Sequence, residues 1–206
     1  MQAKAIDCRF VTAGSAASCP AGLGSTTTLY AETALHELAA RVWPRDDATH
    51  HHELGYRYWT GLVSAYFSGL ADGFLPQLSA EHDLVIVENW CYKFAAKMSL
   101  KDQTSKALHY CLPLDNRLDA VFFIDTPPEL AWQRGRGFSF VELGGQDGYT
   151  TLGRDSFIDY QGRVRERLLE FADERWYRIE NDGDLDSACE RIEAALRPLL
   201  SAGTAR

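Results

Sequence analysis

The chain has 206 residues, which suits one domain carrying a small lid and is ample for a hydrophobic core. Its 46% hydrophobic and 24% charged residues are those of an ordinary globular protein. With 21 Lys and Arg against 29 Asp and Glu, the formal net charge is −8. That balance excludes a broad nucleic-acid or anionic-membrane surface, since both need a basic footprint, while leaving room for a local basic pocket.

Taken in chain order, strands and helices alternate. The run Arg9–Ala13 predicts a first strand, followed by the Gly-rich turn Ala21-Gly22-Leu23-Gly24-Ser25-Thr26-Thr27-Thr28 and a helix over Thr26–Ala40. Arg41–Pro44 reads as a second strand. Leu54–Leu78 predicts a long aromatic helix interrupted by Gly61, Gly69 and Gly73. Asp83–Glu88 and Ala120–Asp125 are continuous apolar runs that each end in an acid, the pattern of central strands in a sheet covered on both faces. Helices are expected over Cys91–Met98, Gln103–Cys111 and Pro128–Arg134, the last opening after Thr126-Pro127. Phe138–Gly153, with Gly144, Gly145, Gly148 and Gly153, predicts a mobile loop and suits a lid. Helices over Ser156–Ala172 and Leu185–Leu200 flank a last strand at Trp176–Glu180, with Asp184 as the cap of the final helix.

This alternation predicts an α/β fold around an open, mostly parallel five-stranded sheet with helices on both faces. Ligands in such sheets sit beyond the carboxyl ends of the strands, so the residues just after each strand carry the functional reading. After the first strand, a Gly-rich turn at a helix N-terminus offers converging N–H groups and the positive end of a dipole, which suits phosphate, and it reads equally as a Gly/Ser/Thr loop that caps the helix. Gly24 and Thr26 stand where a phosphate-binding GxxxxGK[ST] loop has its second glycine and its hydroxyl; Cys19 stands for the first glycine and Ser25 for the lysine. The third strand ends at Glu88, an acid able to hold Mg²⁺ through water or to accept a proton. Lys93 and Lys97 follow at i,i+4 spacing on one helical face, read equally well as phosphate contacts or as a solvated basic face. Arg134 and Arg136 lie where a helix breaks into the loop, a place from which arginines can spread the charge of a transferring phosphoryl group, or serve simply as surface arginines.

The five cysteines are scattered and form no CxxC pair, so neither a disulfide framework nor a zinc site is expected and a reducing, cytoplasmic setting is the simpler reading. Adjacent histidines such as His50-His51-His52 rarely converge on one ion, so no metal centre is expected there. No apolar run approaches the roughly 18–20 residues of a membrane span.

The order of these features resembles the thymidylate kinases. The resemblance rests on Phe74-Leu75-Pro76-Gln77-Leu78 before Asp83–Trp90, on Ile124-Asp125-Thr126-Pro127-Pro128-Glu129, and on Tyr160-Gln161-Gly162-Arg163-Val164-Arg165-Glu166. It covers nearly the whole chain, best from about 54 to 180, and is weakest over residues 1–25. It implies a single P-loop kinase domain over 1–206 with three layers and a lid region at about 134–154. It implies phosphoryl transfer from ATP, with Mg²⁺, to dTMP or a related nucleoside monophosphate. Gly22, Gly24, Ser25, Thr26 and Thr27 would then cradle the ATP phosphates, and Thr26 and Glu88 would hold Mg²⁺. Glu88, Arg134 and Arg136 would be catalytic. Arg45, Tyr66, Tyr92, Lys93, Phe94 and Lys97 would bind the acceptor, and Asn181–Gly183 would lie near the donor adenine. Members of the family are commonly homodimers, and the aromatic helix at 54–78 suits either such an interface or a buried core.

The departures fall together at cationic and specificity positions. Ser25 replaces the P-loop lysine, Glu88-Asn89 replaces the family's Asp-Arg, and Tyr66 falls near the place of a base-contacting arginine. Removing one preorganised charge donor typically costs about 2.7–4 kcal/mol of transition-state stabilisation. The sequence therefore also admits a second reading, a kinase-fold protein that binds a nucleotide or a partner without transferring phosphate.

Overall fold

The structure, a computed structural model, describes residues 8–11, 26–43, 54–101, 108, 110–115 and 118–203. The class is α/β, as expected, with the chain divided into two compact units, Met1–Asp115 and Asn116–Arg206. Each holds one pair of parallel strands and the helices around it. No described helix is long and apolar enough to cross a membrane.

In the first unit, β1 (Cys8–Val11) pairs in parallel with β2 (Leu84–Val87), Cys8 opposite Leu84 and Val11 opposite Val87. Helix α1 (Thr26–Val42) buries Leu35 and Ala39, four residues apart on one face, and packs on α2 (Tyr56–Gly69). Helix α2 answers with Val63, Tyr66 and Phe67, the 3–4 spacing of an apolar stripe. Gly69 lets the helices close: a Cβ there would stand 3.0 Å from Leu35 Cδ2. Beyond Gly69 the helical ladder widens into a π-helical turn (Leu70–Phe74) that buries Leu70, Ala71 and Phe74, and then tightens again as α3 (Leu75–Glu81). Pro76 sits in the first turn of α3, just past the π-helical turn; a proline inside a continuous helix removes one N–H, and the widened ladder lies beside it. Helix α4 (Tyr92–Ser99) follows β2 and buries Tyr92, Ala95, Ala96 and Met98.

One expected strand is corrected. Arg41 and Val42 close helix α1 instead, and the Trp43 N–H still bonds the Ala39 carbonyl at 2.8 Å. The cause is tertiary: the Trp43 ring lies edge-on to Tyr66 (4.9 Å), Phe94 (5.9 Å) and Phe67 (6.3 Å), so packing of the last turn overrides the β-propensity of the segment. Pro44 disfavours helical backbone at the residue before it, which fits the end of α1 here. The expected helix at Gln103–Cys111 lies mostly outside the described residues; residues 108, 110 and 111 are helical.

In the second unit, β3 (Val121–Asp125) pairs in parallel with β4 (Trp176–Glu180), Val121 opposite Trp176 and Asp125 opposite Glu180. Helix α5 (Pro128–Arg134) packs on α6 (Arg154–Leu169), and α7 (Leu185–Gly203) packs on β4. Phe157, Tyr160 and Val164 form the buried stripe of α6. Trp132 of α5 stacks on Phe138 (4.8 Å), and both rings meet Phe157. The Asp184 carboxylate accepts the Ser187 N–H at 2.8 Å, so the last helix is capped as the sequence predicts.

The stretch expected as a mobile loop is folded as successive turns with a short 3₁₀ segment at Gly145–Asp147. The Glu142 carboxylate accepts both the N–H and the hydroxyl of Ser139 at 2.8 Å. The bonds that join the stretch to α6 include Tyr160 OH to Asp147 (2.7 Å), Gln161 to the Glu142 carbonyl (2.7 Å), Tyr149 OH to Asp159, and Arg163 to Tyr149 OH (3.1 Å). Gly144 is required where it stands. Its φ of 82° is left-handed, and a Cβ would lie 2.6 Å from the Tyr149 ring.

Candidate functional site

Both strand pairs end in an acid, and the two ends differ. At the tip of β2, Glu88 is exposed and makes no hydrogen bond or ion pair among the described residues. Asn89 follows at φ 56°, the one described non-glycine residue with positive φ. Asn tolerates that region because its short amide side chain bonds locally. The turn it makes leads directly to Trp90, whose ring is 7% exposed and packs on Phe67 at 5.5 Å. The Trp90 Nε1–H is buried without an acceptor among the described residues. A buried donor left unmatched costs about 1–3 kcal/mol.

Phe67 in turn meets Trp43, Tyr66 and Phe94, and most of the ring pairs of this cluster are edge-to-face. Tyr66 is 1% exposed, and burial holds its hydroxyl proton above the ordinary tyrosine range. Tyr92 is buried on α4, Phe94 is half-buried, Lys93 is exposed and Lys97 is half-buried. The structure thus brings Tyr66 and Phe94 into one aromatic cluster. It puts the ammonium-bearing Lys93 on the opposite, open face of the same short helix.

At the tip of β3, Asp125 is 4% exposed and fully engaged. Its Oδ1 accepts from Arg165 Nε at 2.6 Å; its Oδ2 accepts from Arg165 Nη2 at 2.7 Å and Arg178 Nε at 2.6 Å. The bidentate fork from Arg165 holds the Asp125 carboxyl below its usual range, with Arg178 adding to it against the opposing effect of burial. Asp125 therefore binds α6 to the strand pair. One residue on, Thr126 Oγ1 accepts from Asn181 Nδ2 at 2.9 Å, and the Asn181 N–H extends the ladder to the Asp125 carbonyl at 2.9 Å. Arg134, at the end of α5, donates from Nη1 to the Asn181 carbonyl (2.9 Å) and Oδ1 (3.3 Å), and from Nη2 to the Gly183 carbonyl. Arg136 is exposed and has no partner among the described residues.

An open cleft of about 650 Å³ lies between the folded stretch and the start of α6, lined by Asp147, Tyr149, Thr151, Asp155, Asp159 and Arg163 among others. Arg163 donates to Tyr149 OH at 3.1 Å. Burial and the bond to Asp159 raise the Tyr149 hydroxyl above its ordinary range. Sequence reasoning missed this cleft and the Asp125 hub. A charged residue within the apolar strand Trp176–Glu180, namely Arg178, was the available signal for the hub, because a charge in a strand needs a partner.

Gly22, Gly24, Ser25, Arg45 and His50–Glu53 lie outside the described residues. Thr26 and Thr27 open helix α1, with side chains outside the description. Among the described residues no group of three His, Cys, Asp or Glu side chains is placed to hold a metal ion. A lone carboxylate such as Glu88 still fits Mg²⁺, which keeps several waters and takes one or two protein carboxylates beside phosphate oxygens. No protein-family model matches the chain, and no curated protein matches it.

Proposed function

We propose that the chain is an ATP- and Mg²⁺-dependent phosphotransferase of the thymidylate kinase type, acting on a nucleoside monophosphate in the cytoplasm. The finer fold belongs to the same proposal: a three-layer P-loop architecture with a lid and a mostly parallel five-stranded sheet. With residues 41 and 42 in helix α1, a fifth strand would have to come from outside the described residues.

One observation carries the reading. The polar, chemistry-bearing residues of each unit stand at the carboxyl ends of its parallel strands: Glu88 and Asn89 after β2, Thr126 and Asn181 after β3 and β4. That edge is where open α/β sheets bind their ligands. Within the proposal, Glu88 and Thr26 hold Mg²⁺, which would neutralise charge on the transferring phosphate. Lys93 and Arg45 bind acceptor phosphate, and Arg136 is the open arginine available to the transferring group.

The second reading, a nucleotide- or partner-binding protein without transfer, is favoured by the engagement of Arg134 with the loop after β4, which takes one cation away from the phosphate. Phosphoryl transfer from ATP·Mg²⁺ to a panel of nucleoside monophosphates, run beside Ser25→Lys, separates the two. Turnover by the native protein supports the kinase. Activity gained only in Ser25→Lys supports the binding protein with an intact acceptor site. Silence from both removes the phosphotransferase reading.

A further inference from the structure

We propose that Arg134 is a positioning residue: it fixes the loop Asn181–Gly183 and influences nucleotide binding through that loop, without itself touching the phosphoryl group. The nucleotide part of this inference rests on the phosphotransferase reading; the loop part does not.

The geometry is that of a clasp. Two nitrogens of one planar guanidinium hold carbonyls two residues apart, those of Asn181 and Gly183, and Nη1 also reaches Asn181 Oδ1. A rigid fork bonded to both carbonyls sets the distance between them and so the curvature of the loop. Asn181 is held from its other side as well, by its N–H to the Asp125 carbonyl and by its amide to Thr126. The flanking carbonyl of Glu180 accepts from Arg191 of α7, whose guanidinium lies 3.8 Å from the Asp182 carboxylate. Carbonyls 180, 181 and 183 are each bonded to an arginine, and this leaves the loop in one shape.

Three of the five N–H donors of Arg134, including both on Nη1, are taken by the loop, which sets the plane of the guanidinium and leaves only Nε–H and one Nη2–H for any other partner. Gly183 has no side chain to pack, so at that residue the bond from Arg134 to its carbonyl is the contact whose loss would let the loop open.

The test compares native protein with Arg134→Ala and Arg134→Lys by exchange of the Asn181 amide hydrogen, by ADP binding in calorimetry and by turnover. The Asn181 N–H bonds the Asp125 carbonyl, so loss of the fork should speed its exchange about tenfold or more while the strands stay protected. Lysine has a single point of donation and should fail to rescue. ADP affinity should fall about tenfold with kcat at saturating ATP nearly unchanged. Exchange equal to native in both variants would overturn the clasp, as would a hundredfold loss of kcat with ADP affinity intact. Native protein that neither binds ADP nor transfers phosphate removes the phosphotransferase reading alone, and the exchange result then decides the clasp on the same terms.

Discussion

The sequences Leu84–Glu88 and Val121–Asp125 look alike: an apolar run, paired in parallel with one neighbour, ending in a carboxylate. Their acids meet opposite fates. Asp125 is taken out of water and held by three short bonds from two arginines, whereas Glu88 stands exposed with no such partner. The difference teaches that an acid at a strand tip is available for chemistry only where the rest of the fold has not already engaged it. By that criterion the first unit offers an available carboxylate and the second unit a structural one.

Substitution of the two acids should break the symmetry most clearly. Asp125→Ala strands Arg165 and Arg178, and removing one partner of a buried pair costs about 3–5 kcal/mol; because both arginines reach solvent, the lower end is expected. Chemical denaturation of the purified variant measures it directly.

The pH dependence should follow the same residue. The Asp125 carboxyl is held below its unfolded value of about 3.9, so its contribution is present above that value and is lost as pH falls through the lower, folded value. Melting of the native protein should therefore drop as pH falls below about 4, and Asp125→Asn should flatten that part of the profile. An unchanged slope in the variant would assign acid sensitivity to other carboxylates.

A smaller effect is expected at the fastening of the folded stretch. Tyr160 is fully buried and its hydroxyl bonds Asp147 at 2.7 Å, so Tyr160→Phe should cost about 1 kcal/mol while leaving the ring packing on Tyr149 intact. Glu88→Gln should be the mildest of all for stability, within about 0.5 kcal/mol, as for a surface substitution.

Much of this was legible in the sequence where the determinant is local. Helix Pro128–Arg134 and strand Trp176–Glu180 have the expected bounds, because a proline start and an apolar run between turns set them. The cap at Asp184 was readable for the same reason. Arg41–Pro44 was not, because aromatic packing of Trp43 outweighs the β-propensity of a four-residue window. The Asp125 hub was invisible to spacing: its arginines lie 40 and 53 residues away in sequence, and only folding brings them together. Arg134 was read as facing a phosphate, since nothing in sequence announces that backbone carbonyls 47 and 49 residues on will take its donors.

The most direct measurement of the central claim is the rate of phosphoryl transfer from ATP·Mg²⁺ to nucleoside monophosphates by native protein and by Glu88→Gln, with melting recorded on both. The account predicts turnover by the native protein and a loss of about a hundredfold in the variant at unchanged melting temperature. Equal turnover in the two proteins, or none in the native one, would contradict it.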